Sequence, residues 1–169
     1  LSTDLSLFLR QKLSEAAVNQ SKSKEIQFLN PLLTYQQTHS ALPLQNELLV
    51  EQIHTREGYH LFMYPLEGRL VHEVMATVIA YRISKRFPIS FSIAMNDYGF
   101  ELFADQPIPV DLEFLTELFQ LDHLMDDVVA SINAAEMALH KFRDIAVIAG
   151  MVIQTFPGKQ RNNKSLQAS

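Results

Sequence analysis

Apolar residues near the amino terminus recur every three to four positions, which predicts two helices. In the first, over residues 3–18, the apolar stripe consists of Leu5, Leu7, Phe8, Leu9, Leu13, Ala16 and Ala17. Thr3 is the expected cap of this helix. After a polar connector at 20–24, a second, short helix is expected to begin at Pro31 with Asn30 as its cap, because proline suits the first helical position.

Beyond residue 47 the period of the pattern changes to two, which predicts strands. The strand at 89–95 alternates strictly, with Ile89, Phe91, Ile93 and Met95 on the face that we expect to be buried. Gly58 supplies the flexible position that a short hairpin loop needs. Two hairpins are therefore predicted, with strands at 48–55 and 59–64, and at 89–95 and 100–103.

A helix is expected after each hairpin and again near the carboxyl end. Residues 67–86 carry apolar positions at helical spacing, and Asp111 is expected to cap a short helix that runs to Phe119. Residues 122–131 predict a further helix, and Asn133-x-x-Glu136 resembles a capping box that starts the last one. The fold class is therefore α+β: a four-stranded antiparallel sheet packed with about five or six helices. The strands could instead curl toward a barrel.

The sequence predicts a single domain over residues 1–169, and the first residue, Leu1, suggests a piece excised from a longer protein. Its expected parts are a helical lead-in (1–45), two hairpin–helix units (46–120), carboxyl-terminal helices (121–155) and a tail (156–169).

Composition narrows the class of protein. Apolar residues make up 47% of the chain, which excludes a disordered protein. Cysteine is absent, which excludes disulfides and thiolate metal sites and fits a cytoplasmic protein. The longest apolar run, residues 145–153, is too short to span a bilayer, so no membrane association is expected.

The net charge of −5 is distributed unevenly. Residues 87–130 contain nine acidic residues and no lysine or arginine, whereas residues 56–86 contain five basic and three acidic residues. A polyanion could therefore use only the 56–86 region and the basic tail. Ordinary solvated faces explain the same charges.

Motifs for catalysis and cofactor binding are missing from this chain. The one Gly-Lys pair, Gly158-Lys159, is followed by Gln160 where a phosphate-binding loop needs serine or threonine. His72-Glu73 lacks the second histidine of a zinc helix. His123, Asp126 and Asp127 could hold a metal, but acidic residues at a helix start explain them with fewer assumptions. We expect no catalytic, cofactor or metal site here.

Two polar stripes are more informative. Arg69, His72, Glu73 and Ala76 are expected to share one face of the helix at 67–86, with Arg69 and Glu73 as an i,i+4 ion pair. A second stripe on the last helix consists of Glu136, His140 and Arg143. Each stripe is either a salt-bridged solvent face or a surface that docks another domain or a nucleic-acid backbone.

Three stretches of sequence resemble a known family. The runs YPLEGRLVHE, NDYGFEL and DVVASINAAEMALHKFRDIAVIAGMVIQTFPG resemble the DEAD/H-associated region of Lhr-type (large helicase-related) ATP-dependent DNA helicases. The likeness is greatest to the ligase-associated DExH-box subgroup, which acts in DNA repair, and it covers about residues 48–169. Met63, Leu66 and Val74 depart from the family pattern by apolar exchanges only.

The resemblance implies a place in a larger enzyme. The chain would follow two motor domains, which bind ATP and Mg²⁺, and a winged helix, and it would help to hold the single strand of DNA. It makes candidate nucleic-acid contacts of Arg56, Arg69, His72 and Arg82. It makes a candidate interdomain loop of Asn96, Asp97 and Tyr98, and the stripe on the last helix adds Glu136 and Arg143 as candidate interdomain contacts. By itself the chain would bind single-stranded DNA weakly.

Two other classes remain open from the residues alone. One is a free-standing metal-dependent enzyme that processes nucleic acid with the acids at 122–127. The other is a protein-binding module whose interface is the acidic region, residues 87–130.

Overall fold

The structure, a computed structural model, describes residues 2–18, 23–134, 155–156 and 159–160. These belong to two units, Leu1–Asp127 and Val128–Ser169. The helices are α1 (Thr3–Ala17), α2 (Lys24–His39), α3 (Arg69–Arg86), α4 (Leu112–Leu118) and α5 (124–134). The strands are β1 (Val50–His54), β2 (Tyr59–Met63), β3 (Ser92–Met95), β4 (Phe100–Ala104), β5 (Thr155–Phe156) and β6 (Lys159–Gln160).

The two predicted hairpins form one antiparallel sheet with the strand order β1-β2-β4-β3. The second strands of the hairpins pair with each other, so that Met63 lies opposite Phe100 and Tyr59 opposite Ala104. Strands β1 and β3 are the two edges, so the sheet is open and is not closed into a barrel. The α+β class is confirmed.

One face of the sheet packs against α3, and α4 packs against α3 and contributes to the same core. Leu61 and Leu102 in the central strands and Ile83 in α3 are fully buried. Each such side chain contributes about 1.5–3 kcal/mol relative to an exposed one. Ile89 is buried, and three further residues of the predicted apolar face pack against the same cluster: Phe91, Ile93 and Met95. Ser90, Ser92 and Ala94 are exposed, so the predicted register is confirmed.

The amino-terminal helices differ from the prediction. Ser2, not Thr3, caps α1, because its hydroxyl accepts a hydrogen bond from the Leu5 N–H. Helix α2 begins at Lys24, so Pro31 lies inside it and Asn30 is not its cap. Proline inside a helix removes one backbone hydrogen bond, and here the affected turn is exposed, where water can bond the free carbonyl.

In the carboxyl-terminal half the structure confirms one predicted helix cap and differs from the prediction at two places. The Asp111 carboxylate accepts a hydrogen bond from the Phe114 N–H at 2.8 Å, as expected of the cap of α4. Helix α5 continues through Asn133, so no helix begins there. Strands β5 and β6 pair at the boundary of the predicted tail. Glu136 and the helix predicted after it lie outside the described residues. No helix in the described part has the length and apolarity that a membrane span needs.

Gly99 allows β2 and β4 to approach each other closely. A Cβ atom at this position would lie 2.3 Å from the carbonyl oxygen of Met63, which is backbone and cannot swing aside. We therefore expect Gly99→Ala to reduce the free energy of unfolding by about 1–3 kcal/mol, as overpacking does. Urea denaturation of the variant beside Ser92→Ala, a substitution on the exposed face, measures the difference. An unchanged midpoint for Gly99→Ala would contradict this close approach.

Candidate interdomain and nucleic-acid surface

A loop and a turn meet at one end of the sheet. Residues 64–68 connect β2 to α3, and residues 96–99 connect β3 to β4. Because Met63 pairs with Phe100, both connections leave the same end of the sheet. The Leu66 N–H donates to the Tyr98 carbonyl oxygen at 3.1 Å. The segments that contain YPLEGRLVHE and NDYGFEL are therefore neighbours in space.

His72 joins the loop to the turn from inside the core. Its side chain is fully buried, and its Nε2 accepts a hydrogen bond from the Glu67 N–H at 3.0 Å. Its Nδ1 lies 2.8 Å from the Asn96 carbonyl oxygen. Because Nε2 accepts, Nδ1 must carry the proton and donate. A buried ring with both nitrogens engaged cannot touch a nucleic acid, so the structure contradicts the predicted contact at His72.

The turn at 96–99 is rigid, and part of it is exposed. The Asn96 side-chain oxygen accepts hydrogen bonds from the N–H groups of Tyr98 and Gly99, at 2.8 and 3.0 Å. Asp97 accepts a hydrogen bond from the Arg69 N–H at 3.3 Å. The Tyr98 side chain is 56% exposed. Three candidate interdomain residues, Asn96, Asp97 and Tyr98, thus occupy one ordered turn beside the start of α3.

Arg69 is the first residue of α3, and its side chain is exposed. The loop that leads to it takes two uncommon backbone conformations, with φ of 59° at Leu66 and 91° at Gly68. Glu73 is also exposed, but no ion pair joins it to Arg69 among the described residues. Ala76 is buried like His72, so the predicted polar stripe is half core and half surface.

Arg82, in α3, joins this helix to the end of α4 and to α5. Its Nε lies 2.8 Å from the Asp127 carboxylate, and the pair is only 11% exposed on each side. The Arg82 guanidinium also donates to the carbonyl oxygens of Leu118, Gln120 and Asp122. These bonds engage the Arg82 guanidinium within the domain. The predicted nucleic-acid contact at Arg82 is therefore replaced by a structural role.

Arg56 is exposed in the β1–β2 loop, at the opposite end of the sheet from Arg69. A strand of five residues separates these ends by roughly 16 Å. The four predicted nucleic-acid contacts therefore do not form one patch. Arg56 and Arg69 are exposed and far apart, whereas His72 and Arg82 form hydrogen bonds inside the domain. Glu136 and Arg143 lie outside the described residues.

The acids proposed as metal ligands are also dispersed. His123 and Asp126 approach to 3.6 Å, and both are more than four-fifths exposed. Asp127 instead binds Arg82 and lies 3.7 Å from the Lys85 ammonium nitrogen. Within the described residues no group of three or more such side chains converges.

Sequence reasoning missed the contact that attaches α1 to the loop. The Arg10 guanidinium donates to the Pro65 carbonyl oxygen and pairs with the Glu67 carboxylate. Arg10 is more than fifty residues away in the chain, and no local spacing marks it. The loop before Arg69 is thus fixed from two sides, by Arg10 and by His72.

Comparisons with known proteins show which family the chain resembles. The family model described as DEAD/H associated matches residues 42–169. The chain is 26% identical over 127 residues to ATP-dependent helicase Lhr-Core protein 2 of Thermococcus barophilus. It is 25% identical over 128 residues to ATP-dependent helicase Lhr-Core of Saccharolobus solfataricus, and 26% over 125 residues to that of Methanocaldococcus jannaschii.

The alignments cover 74–75% of this chain but only 15% of each relative, so the chain spans a small part of these proteins. No solved structure matches it.

Replacing His72 tests the role of its buried ring. We expect His72→Ala to reduce the free energy of unfolding by about 3 kcal/mol or more, because it opens a cavity and leaves the Glu67 N–H without a partner. Urea denaturation measures the loss, with Glu73→Ala on the exposed side of the same turn expected to stay within about 0.5 kcal/mol of the parent chain. Equal effects of the two substitutions would show that the ring is not a structural link.

Proposed function

Because the chain belongs to the DEAD/H-associated family, we propose that it is an accessory domain of an ATP-dependent helicase. In this proposal it braces the motor and winged-helix domains of the same polypeptide and helps to hold the translocating single strand of DNA. ATP and Mg²⁺ are bound by the motor domains. The chain's own Gly158-Lys159-Gln160 lacks the residue that would ligate the metal.

The observation that carries the bracing role is the exposed apolar side of α2. No residue of this helix is buried. Phe28, Leu32 and Tyr35, spaced to lie on one side, are 86%, 65% and 63% exposed. Large apolar side chains at helical spacing are normally covered, and scattered single ones would need no explanation. A domain surface packed against α2 accounts for them.

The turn at 96–99 supports the same role at the other candidate interface. Tyr98 projects from a turn whose backbone is fixed by Asn96, and Arg69 lies beside it. A rigid, exposed aromatic residue loses little conformational entropy when it is covered, which favours a contact surface. This arrangement supports an interdomain role for Asn96, Asp97 and Tyr98.

The contribution to DNA binding rests on few charges. Arg56 and Arg69 are the candidate contacts with exposed side chains, and the acidic residues at 87–130 oppose a phosphate backbone. Two phosphate contacts give a log–log salt slope of about −1.4 for single strands. The chain alone is therefore a weak ligand for DNA, and Arg69 acts by positioning the strand beside the motors. A cytoplasmic location and a role in DNA repair complete the proposal.

A second candidate, a protein-binding module, is favoured by the same exposed face of α2, and the two differ only in whether the partner is covalently joined. The metal-dependent enzyme has less support, because Asp127 is neutralised by Arg82.

The bracing role is tested by charging the apolar side of α2. Phe28→Glu with Leu32→Glu should leave the stability of the 169-residue chain nearly unchanged, because both side chains are exposed. In the full-length helicase the same pair should lower the melting temperature and the unwinding rate, because the docked surface would bury two charges. The matched control is Asn30→Glu with Thr34→Glu on the opposite side of α2. Equal behaviour of the two pairs in the full-length protein would refute the bracing role.

The strand-holding role is tested at Arg69. In the full-length helicase we expect Arg69→Ala to slow unwinding several-fold while changing DNA affinity less than threefold, since few phosphates are contacted here. Strand-displacement rates and fluorescence anisotropy measure the two quantities, and Glu73→Ala is the neighbouring control. Unchanged unwinding per folded molecule in Arg69→Ala would remove Arg69 from the function.

A further inference from the structure

The face of the sheet turned away from the core carries an alternating row of acidic and aromatic side chains. Across the four strands, Glu51 lies opposite Phe62, Phe62 opposite Glu101, and Ala94 opposite Glu101. Directly opposed residues in a sheet have Cβ atoms about 4.5–5.5 Å apart. The Phe62 ring is therefore flanked by two carboxylates.

A depression lies beside this row because two positions have little or no side chain. Ala94 lies in the edge strand β3, and Gly99 lies in the turn just before β4. The resulting cavity has a volume of about 300 Å³ and is walled by the rings of Phe62, Tyr64 and Tyr98. The rings of Phe62 and Tyr64 are nearly parallel, with an interplanar angle of 16°.

The electrostatics of the cavity favour a cation. Its lining contains one carboxylate, Glu101, and no lysine or arginine. His60 faces that carboxylate, with its Nδ1 2.5 Å from one carboxylate oxygen and its Nε2 bonded to Thr55. Burial, reinforced by the Glu51 carboxylate, raises the pKa of Tyr64 to about 12, so this wall remains an uncharged phenol at neutral pH.

Three aromatic walls and a carboxylate are the groups that bind a guanidinium ion. The faces of aromatic rings attract a cation, and a carboxylate accepts its N–H bonds. Arginine suits such a site better than lysine, because its planar group stacks on rings and is more weakly hydrated. A phosphate group, in contrast, would meet the Glu101 carboxylate, with no lysine or arginine lining the cavity.

We propose that this cavity receives an arginine side chain of a neighbouring protein surface. The identity of that surface, a motor or winged-helix domain of the same polypeptide, rests on the proposed function. The affinity of the cavity for a guanidinium group is a property of this chain alone. The sheet then contributes a specific, charge-selective contact, while the apolar side of α2 contributes burial.

The test uses a small probe and its neutral isostere. N-acetyl-arginine methylamide is titrated into the 169-residue chain, and the NMR shifts of the Tyr64 and Tyr98 rings are followed. We expect saturation in the millimolar range, where a single side chain would bind. The corresponding citrulline compound, equal in shape but uncharged, should bind at least fivefold more weakly.

Two variants and two controls locate the site. Glu101→Gln keeps an acceptor for His60 but removes the charge, and Ala94→Leu fills the cavity from an exposed position. Each should weaken binding of the arginine probe about fivefold or more. Glu113→Gln on α4 and Ser92→Leu on the same strand face should bind as the parent chain does.

The outcomes separate this proposal from the proposed function. Equal binding of the arginine and citrulline probes, or binding unaffected by Ala94→Leu, would overturn the cation site. Shifts of the same rings by oligothymidylate, stronger than those by the arginine probe, would also overturn it and assign the cavity to nucleic acid. None of these experiments measures helicase activity. The bracing role is therefore decided separately, by the α2 substitutions in the full-length protein.

Discussion

The buried imidazole of His72 is the interaction on which this end of the molecule depends. One ring nitrogen holds the Glu67 N–H and the other holds the Asn96 carbonyl oxygen. The two backbone groups belong to segments nearly thirty residues apart. A neutral histidine is the side chain that can donate at one nitrogen and accept at the other within a single rigid ring. Its position therefore fixes the loop, the turn and the first turn of α3 relative to the sheet.

The surface features follow from this constraint. Leu66 and Gly68 adopt uncommon backbone angles because the loop must reach both Tyr98 and His72 before α3 begins. The same geometry places the exposed residue Arg69 against Asp97, which precedes the exposed Tyr98 in the turn. Two of the three runs that resemble the helicase family, YPLEGRLVHE and NDYGFEL, are the segments that His72 connects. The likeness thus falls on a structural joint as well as on an exposed surface.

Sequence patterns predicted the sheet better than they predicted the site. Strict alternation at 89–95 identifies the buried face without knowledge of its partner, so the register was predictable. In α3 the boundary between core and solvent runs through the supposed polar stripe, and helical spacing cannot show that His72 lies on the inner side. Arg82 meets Asp127 across 45 residues, a pairing that no local period encodes. The preference of proline for the first helical position predicts a helix start at Pro31. That preference does not show that the turn is exposed, where water can bond the free carbonyl group and the loss of stability is small.

Helix α2 combines an exposed apolar side with an interior proline, and this pairing affects how the domain would assemble. A helix with no buried residue and one missing backbone bond has little tertiary packing to protect it, so we expect its amides to exchange with solvent faster than those of β2 and β4. Docking then has to order α2 as well as cover it, which lowers the net affinity for a given buried area. If the proposed bracing role holds, a contact through α2 would therefore suit repeated release and reattachment.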